Sequence, residues 1–319
     1  MNTIIINGMS FTLPLFIMAI GGIYSERSGV TNLALEGLQG VGAFFGALAA
    51  YIATLQLGSK SVAPYYLAMI FAMIGGMLYS LVHALLCIRF KADMVISGVV
   101  INILAMSLTA FLTKSINRTV FGAASDKIIL GVSTRFTVPG ISDIPVIGAF
   151  FTNVYPFEII IIVVAVITWY LLYKTSFGLH LRAAGDNPAA VDAAGIDVSK
   201  IRYLAVMMSG ALSGLAGICF AYSISAKFSS DIYVGYGYLS IAALIFGGWR
   251  IMPTLLACFI FGFARSAGYQ LVQKLELPSA YSDLVMILPY VLTLLLLIFL
   301  AKNNQAPRAL GEAYDKSKR

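Results

Sequence analysis

Residues 4–23 read IIINGMSFTLPLFIMAIGGI, a run of apolar and small residues without one charge. A helix needs about 20 such residues to cross a hydrocarbon core about 30 Å thick. The run has no basic n-region and no Ala-x-Ala-like end, so it is expected to be a first membrane helix rather than a cleaved signal peptide. The rest of the chain repeats this composition. Of 319 residues, 60% are hydrophobic and 11% charged, and mean hydropathy is +0.89, whereas about a quarter of a soluble domain is charged. Lipid is therefore the main solvent, and the fold class expected is an all-α polytopic transmembrane bundle. One membrane domain is expected over 1–301, with a basic cytoplasmic tail over 302–319.

Hydrophobic runs place segments near 3–23, 30–53, 64–88, 94–113, 154–173, 203–223, 232–249, 251–270 and 281–300, about eight or nine crossings. Gly235, Gly237, Gly247 and Gly248 make 232–249 a poor regular helix, so a broken or re-entrant segment that lines a protected space is expected there. Basic residues collect in cytoplasmic loops. Lys174, Arg182, Lys200 and Arg202 in one loop, with Lys302, Arg308, Lys316, Lys318 and Arg319 in the tail, place both inside and the N-terminus outside. The loop from Lys114 to Asn153 carries Lys114, Arg118, Lys127 and Arg135 and yet falls outside on this count. The net charge of +7 is thus a matter of topology, not of nucleic-acid binding. A faint internal match, Gly29–Leu38 against Gly235–Leu244, hints at the repeats from which many transporters are built.

Nothing in the sequence suggests catalysis. His83 and His180 stand far apart without metal-ligand spacing, and Cys87, Cys219 and Cys258 sit unpaired in apolar runs, so no metal or disulfide is expected. No GxxxxGK[ST] run is present, so no ATP is bound by this chain, and ATP with its magnesium would belong to a partner. Polar groups inside membrane segments are costly and mark pathways or interhelical hydrogen bonds. Helical spacing puts Asn32, Glu36 and Gln39 on one face, and both meanings stay open there. Asn102, Ser107 and Thr109 read as packing. Tyr233, Tyr236 and Tyr238 fit either a flat ligand or an interfacial belt. Arg265 and Asp283, near outer helix ends, read as snorkelling or a surface ion pair. Gly21, Gly22, Gly37, Gly40, Gly42, Gly46, Gly75 and Gly76, with Gly210, Gly214 and Gly217, read as close helix contacts.

The polar stretch KTSFGLHLRAAGDNPAAVDAAGIDV from Lys174 is too patterned for a connector. Asp186 or Asn187 before Pro188 is a helix start and Gly195 a stop, which predicts a helix of about two turns that exposes Ala and Val. So short a helix is stabilised by docking on something else.

At this stretch the chain resembles the permeases of the branched-chain amino acid, ribose and nucleoside branch of ABC importers. The resemblance covers nearly the whole length. It rests on ERSGVTNLALEG from Glu26, FGLHLRAAGDNP from Phe177 and LSIAALIFGGW from Leu239. The first of these is most similar to nucleoside permeases paired with basic-membrane-protein-type lipoproteins. The resemblance implies a cytoplasmic coupling loop over 174–202, with Gly178, Arg182, Gly185, Asp186, Asn187, Pro188, Ala193 and Gly195 meeting the ABC ATPase. It also implies a second permease subunit, sister or self, an extracytoplasmic substrate-binding lipoprotein and a bacterial plasma-membrane location. Alternating access would carry the solute past Asn32, Glu36, Gln39, Asn102, Tyr236 and Tyr238. The chain departs from the branch at Tyr236, where a basic residue is expected. Scarce buried charge suits an uncharged nucleoside and equally a sugar; a zwitterionic branched-chain amino acid or an ATP-independent secondary transporter would call for charges deep in the helices. A membrane enzyme would need a nucleophile and a base, and no such pair is visible.

Overall fold

The computed structural model describes residues 2–58, 61–131, 135–144, 147–232, 234–276, 278, 281, 287–295 and 306–315. Among the described residues its regular elements are helices, apart from one two-residue strand pair. In order come α1 (Asn2–Arg27), α2 (Leu35–Leu57), α3 (Ala63–Ala84, continued by a π-turn at Leu85–Arg89), α4 (Met94–Thr119), α5 (Pro156–Lys174), α6 (Ser176–Asp186), α7 (Pro188–Ala193), α8 (Val198–Ile224), α9 (Tyr236–Phe246) and α10 (Ile251–Lys274). Among the described residues, seven helices are long and apolar enough to cross a membrane, and α9 is a shorter apolar one. Residues 287–295 are helical within the segment expected at 281–300, while Tyr233, Asp283, Lys302, Lys316, Lys318 and Arg319 lie outside the described residues.

The centre of the bundle is built from α1, α2, α3 and α8. Small residues set how closely these helices approach: a side chain on Gly214 would strike the Ala72 carbonyl, and one on Gly210 the Gly76 carbonyl. Such contacts replace hydrophobic collapse, which has no driving force between helices in lipid. Around this centre, α4 and α5 turn Ile103, Phe111, Val166 and Ile167 outward, as lipid-facing surfaces require. Tyr24 on α1 donates to the Thr168 carbonyl of α5 at 2.5 Å, tying a peripheral helix to a central one.

Several boundaries differ from the sequence expectation. Helix α2 begins at Leu35, not near 30, because residues 28–34 form a non-helical entry with Gly29 at φ +95°. Helix α8 begins at Val198, where Asp197 accepts from the Lys200 N–H at 3.1 Å. Arg202 is therefore a buried residue of its second turn rather than a loop charge. Helix α4 runs on to Thr119 and takes in Lys114 and Arg118; hydropathy stops where charge begins, but backbone hydrogen bonding does not. The strands β1 (Ile128–Ile129) and β2 (Lys227–Phe228) pair antiparallel and join the loop after α4 to the exit of α8.

Candidate coupling face and solute path

One end of the bundle gathers the end of α1, the α6–α7 pair, the start of α10 and residues 306–315. It is stitched by buried polar contacts. The Trp249 indole donates to the Glu26 carboxylate at 2.5 Å, and Arg27 Nε donates to the Trp249 carbonyl at 3.0 Å. Two of the quoted sequence markers thus meet in space. Arg202 Nε donates to the Ser28 carbonyl at 3.1 Å and its Nη1 to the Glu312 carbonyl at 2.9 Å. Residues 306–315 lie across this end. Ala309 N–H reaches the Gly185 carbonyl at 2.8 Å, Gly311 N–H the Gly29 carbonyl at 3.0 Å, Tyr314 hydroxyl the Asp192 carboxylate at 3.0 Å, and Lys91 pairs with Asp315 at 2.7 Å.

The stretch from Lys174 forms two helices where the sequence suggested one. Thr175 caps α6 by accepting from the Gly178 N–H at 3.2 Å, and Gly178 packs where a side chain would meet the Leu171 and Leu172 carbonyls. Arg182 lies with its guanidinium 5.5 Å from the Tyr173 ring centroid. Gly185 is buried against the Arg27 carbonyl, so it holds α6 to α1 and offers nothing outward. Asn187 caps α7 by accepting from the Ala190 N–H at 3.1 Å, with Pro188 opening the helix, and Gly195 ends it with φ +81°. The exposed face consists of Asp186, Asn187, Ala189, Ala190, Ala193 and Ala194. Val191, expected outside, is buried and anchors α7 inward.

Deeper in, the expected polar stripe divides. Asn32 lies before α2, so helical spacing does not apply to it. Its amide donates to Ser209 Oγ at 2.9 Å and its oxygen accepts from Ala34 N–H at 3.1 Å. Gln39 is buried on the side of α2 that meets α8, where its carbonyl lies against Gly217. Glu36 alone faces a cleft of about 160 Å3, which Asn102 and Tyr238 also line. Its carboxylate accepts from the Gly235 N–H at 2.8 Å and faces the N–H groups of Gly237 and Tyr238. These are the unpaired donors at the start of α9, whose N-cap Gly235 has φ +93° and no side chain of its own. Asn102 accepts from Gly37 N–H at 2.7 Å and donates to the Leu33 carbonyl at 2.8 Å and the Tyr238 hydroxyl at 3.2 Å. At 11 residues and about 1.5 Å per residue, α9 spans about half the bilayer. Its end runs into the Gly247–Trp249 turn beside α1, so its start lies near mid-depth. This is the broken segment expected from the glycines.

Tyr236 takes no part in an interfacial belt. It is buried, with ring centroids 5.1 Å from Phe11 and 5.0 Å from Phe220, and its hydroxyl accepts from Arg265 at 3.1 Å. Arg265 does not snorkel either. Its guanidinium lies 4.3 Å from the Phe11 centroid and 5.0 Å from that of Tyr269. It lines a cleft of about 340 Å3 with Asn7, Ser10, Arg135, Tyr155 and Ser266, at the end of the bundle away from α6 and α7. The i, i+4 pair Arg265–Tyr269 within α10 was the one local signal; the other partners, Phe11 and Tyr236, come from α1 and α9 and leave no trace in the spacing. His83 is a packed residue, with its ring nitrogens 2.9 Å from Ser97 Oγ and 3.1 Å from the Thr31 carbonyl.

Comparison with known proteins gives this geometry its context. The family model described as branched-chain amino acid transport system / permease component matches residues 4–297. The chain is 41% identical to the guanosine ABC transporter permease protein NupQ of Bacillus subtilis, covering 97% of this chain and 95% of that one. It is 36% identical to the nucleoside ABC transporter permease protein NupC of Lactococcus lactis, covering 100% and 98%. The ribose import permease protein RbsC of Haemophilus influenzae is similar at 29% identity over 88% and 76%. No solved structure gives a significant match. Permeases of this kind are transport subunits, not enzymes, and they work with ATPase and substrate-binding partners. The chain therefore belongs to the branched-chain amino acid transport system permease family, as a multi-pass membrane subunit of an ABC importer.

Proposed function

We propose that the chain is the permease of a nucleoside importer, driven by ATP and magnesium held on separate ATPase subunits, and that α7 is the element those subunits grip. The observation that carries this is the α6–α7 pair. It is fixed to the bundle by Gly185 and Val191 yet presents a smooth alanine face with one carboxylate. A two-turn helix so placed transmits a push rather than absorbing it. The end bearing α6, α7 and residues 306–315 is cytoplasmic, the loop after α4 is extracytoplasmic, and a lipoprotein delivers solute there to a pathway shared with a second permease subunit, sister or self. Coupling is assigned to Arg182, Asp186, Asn187, Pro188 and Ala193, with Gly178, Gly185 and Gly195 shaping the helices. Glu36, Asn102, Tyr236 and Tyr238 border the solute path, and Asn32 and Gln39 support it from the packed side. Nucleoside cargo is favoured by the names of NupQ and NupC, whose similarity spans nearly the whole chain. Purification in mild detergent from the native membrane, with identification of what copurifies and an ATPase assay, tests the assignment. An ATP-hydrolysing chain is expected; its absence in repeated stabilised preparations would leave a transporter that works without ATP.

A further inference from the structure

We propose that the cleft beside Arg265 is a purine site in which this guanidinium reads the acceptor edge of a 6-oxopurine nucleoside, so that guanosine and inosine are carried in preference to adenosine. The inference deepens the nucleoside reading and rests on it. An arginine 14 positions into α10 would ordinarily be compensated by a carboxylate. Among the described residues the ion pairs are Lys91–Asp315 and Lys200–Asp197, and neither involves Arg265. The faces of Phe11, Tyr236 and Tyr269 hold the charge instead, with one bond to the Tyr236 hydroxyl. Rings hold a guanidinium by its face and leave the N–H donors of the two Nη groups at its edge, one of them given to the Tyr236 hydroxyl. Nε has no hydrogen-bond partner and is enclosed by protein.

The second guanidinium in the cleft also lies against a ring, with the Glu158 carboxylate, bonded to Ser10, within its electrostatic reach behind the wall. Arg135 lies 4.3 Å from the Tyr155 ring centroid and donates to the hydroxyl of the same residue. No carboxylate lines the space, which holds about 340 Å3, within the range of small-molecule sites. Two donor-only groups and aromatic walls ask for a flat ligand rich in acceptors, while the hydroxyls of Ser10 and Ser266, whose hydrogens go to the Glu158 carboxylate and the Ile4 carbonyl, present lone pairs to it. The O6 and N7 of guanine or hypoxanthine form such a pair, and a guanidinium meets both at once; adenine presents a donor in place of O6. A sugar offers neither a flat face nor a paired acceptor edge.

The test is uptake of labelled guanosine and labelled adenosine by the complete transporter, with the parental chain, Arg265→Gln and Arg265→Lys. The binding lipoprotein is the same throughout, so any change in the guanosine-to-adenosine ratio arises in the permease. The parental chain should favour guanosine. Arg265→Gln, whose amide can both donate and accept, should lower that ratio by about tenfold or more, since a good bidentate pair discriminates on that scale. Arg265→Lys keeps the charge without the fork and should not restore it. A ratio unchanged in both variants, or rates that fall alike for both nucleosides, would overturn the assignment. No uptake of any nucleoside by the parental transporter would instead refute the nucleoside reading itself.

Discussion

Replacing Glu36 by Leu should release the start of α9 from α2. The carboxylate accepts from the Gly235 N–H at 2.8 Å and faces two further N–H groups of the same turn, so it caps a helix that has no cap of its own. An enclosed N–H left without an acceptor costs about 1–3 kcal/mol, and an anion at a partly buried helix N-terminus contributes up to about 2 kcal/mol. The two effects together give about 3 kcal/mol for Glu36→Leu. Glu36→Gln keeps an acceptor and loses only charge, at about 1–1.5 kcal/mol. Because 1.4 kcal/mol is about tenfold in an equilibrium, local detachment of α9 should become roughly 100-fold more populated with Leu and about tenfold with Gln. Ser240 is fully buried on α9. Maleimide labelling of Ser240→Cys, in a chain whose other three cysteines are replaced, reads that opening directly. The expected order of rates is Leu, then Gln, then parental, with nucleoside uptake falling in the same order while the protein remains in the membrane. A Leu variant that labels at the parental rate would show that Glu36 does not hold α9.

Other consequences follow from the same contacts. Ala193→Trp on the exposed face of α7 should abolish uptake at normal membrane levels. Gly185→Val should lower those levels as well, because its side chain would collide with the Arg27 carbonyl; immunoblotting beside uptake separates the two. Gly214→Leu, driven into the Ala72 carbonyl, should destabilise the purified protein by about 1–3 kcal/mol, read as faster thermal inactivation, whereas substitution at Gly40, which faces the cleft beside Glu36, should leave thermal stability unchanged. Removing residues 306–319 deletes the bonds to Gly185, Gly29, Arg202 and Asp192. The truncated permease should still bind its ATPase but hydrolyse several-fold more ATP per nucleoside moved, measured in proteoliposomes; an unchanged ratio would make the tail dispensable for coupling.

How much of this was legible in the sequence depended on whether the signal was local. Hydropathy found the long helices because each needs its own apolar run, and the Asn187–Pro188 start and Gly195 stop of α7 are chemical signals within a few residues. The glycines around 235–248 foretold that α9 would not cross. The polar stripe failed because helical spacing was extended to Asn32, which stands in the turn before α2; Gly29, with its positive φ, was the available warning. Helix α6 went unread because its apolar positions alternate with Gly178, His180 and Arg182. Arg265 was misread for a different reason. Tyr269, one turn on within α10, was the local clue, but Phe11 and Tyr236, which complete its environment, lie far away in the chain and no spacing within α10 reports them.

ATP-dependent uptake by proteoliposomes containing this chain, its ATPase partner and the substrate-binding lipoprotein tests the assignment most directly. Labelled guanosine should enter only when ATP is supplied with magnesium on the ATPase side, and Ala193→Trp should abolish that entry. Guanosine entry that proceeds equally without ATP, or that is indifferent to the α7 substitution, would contradict it.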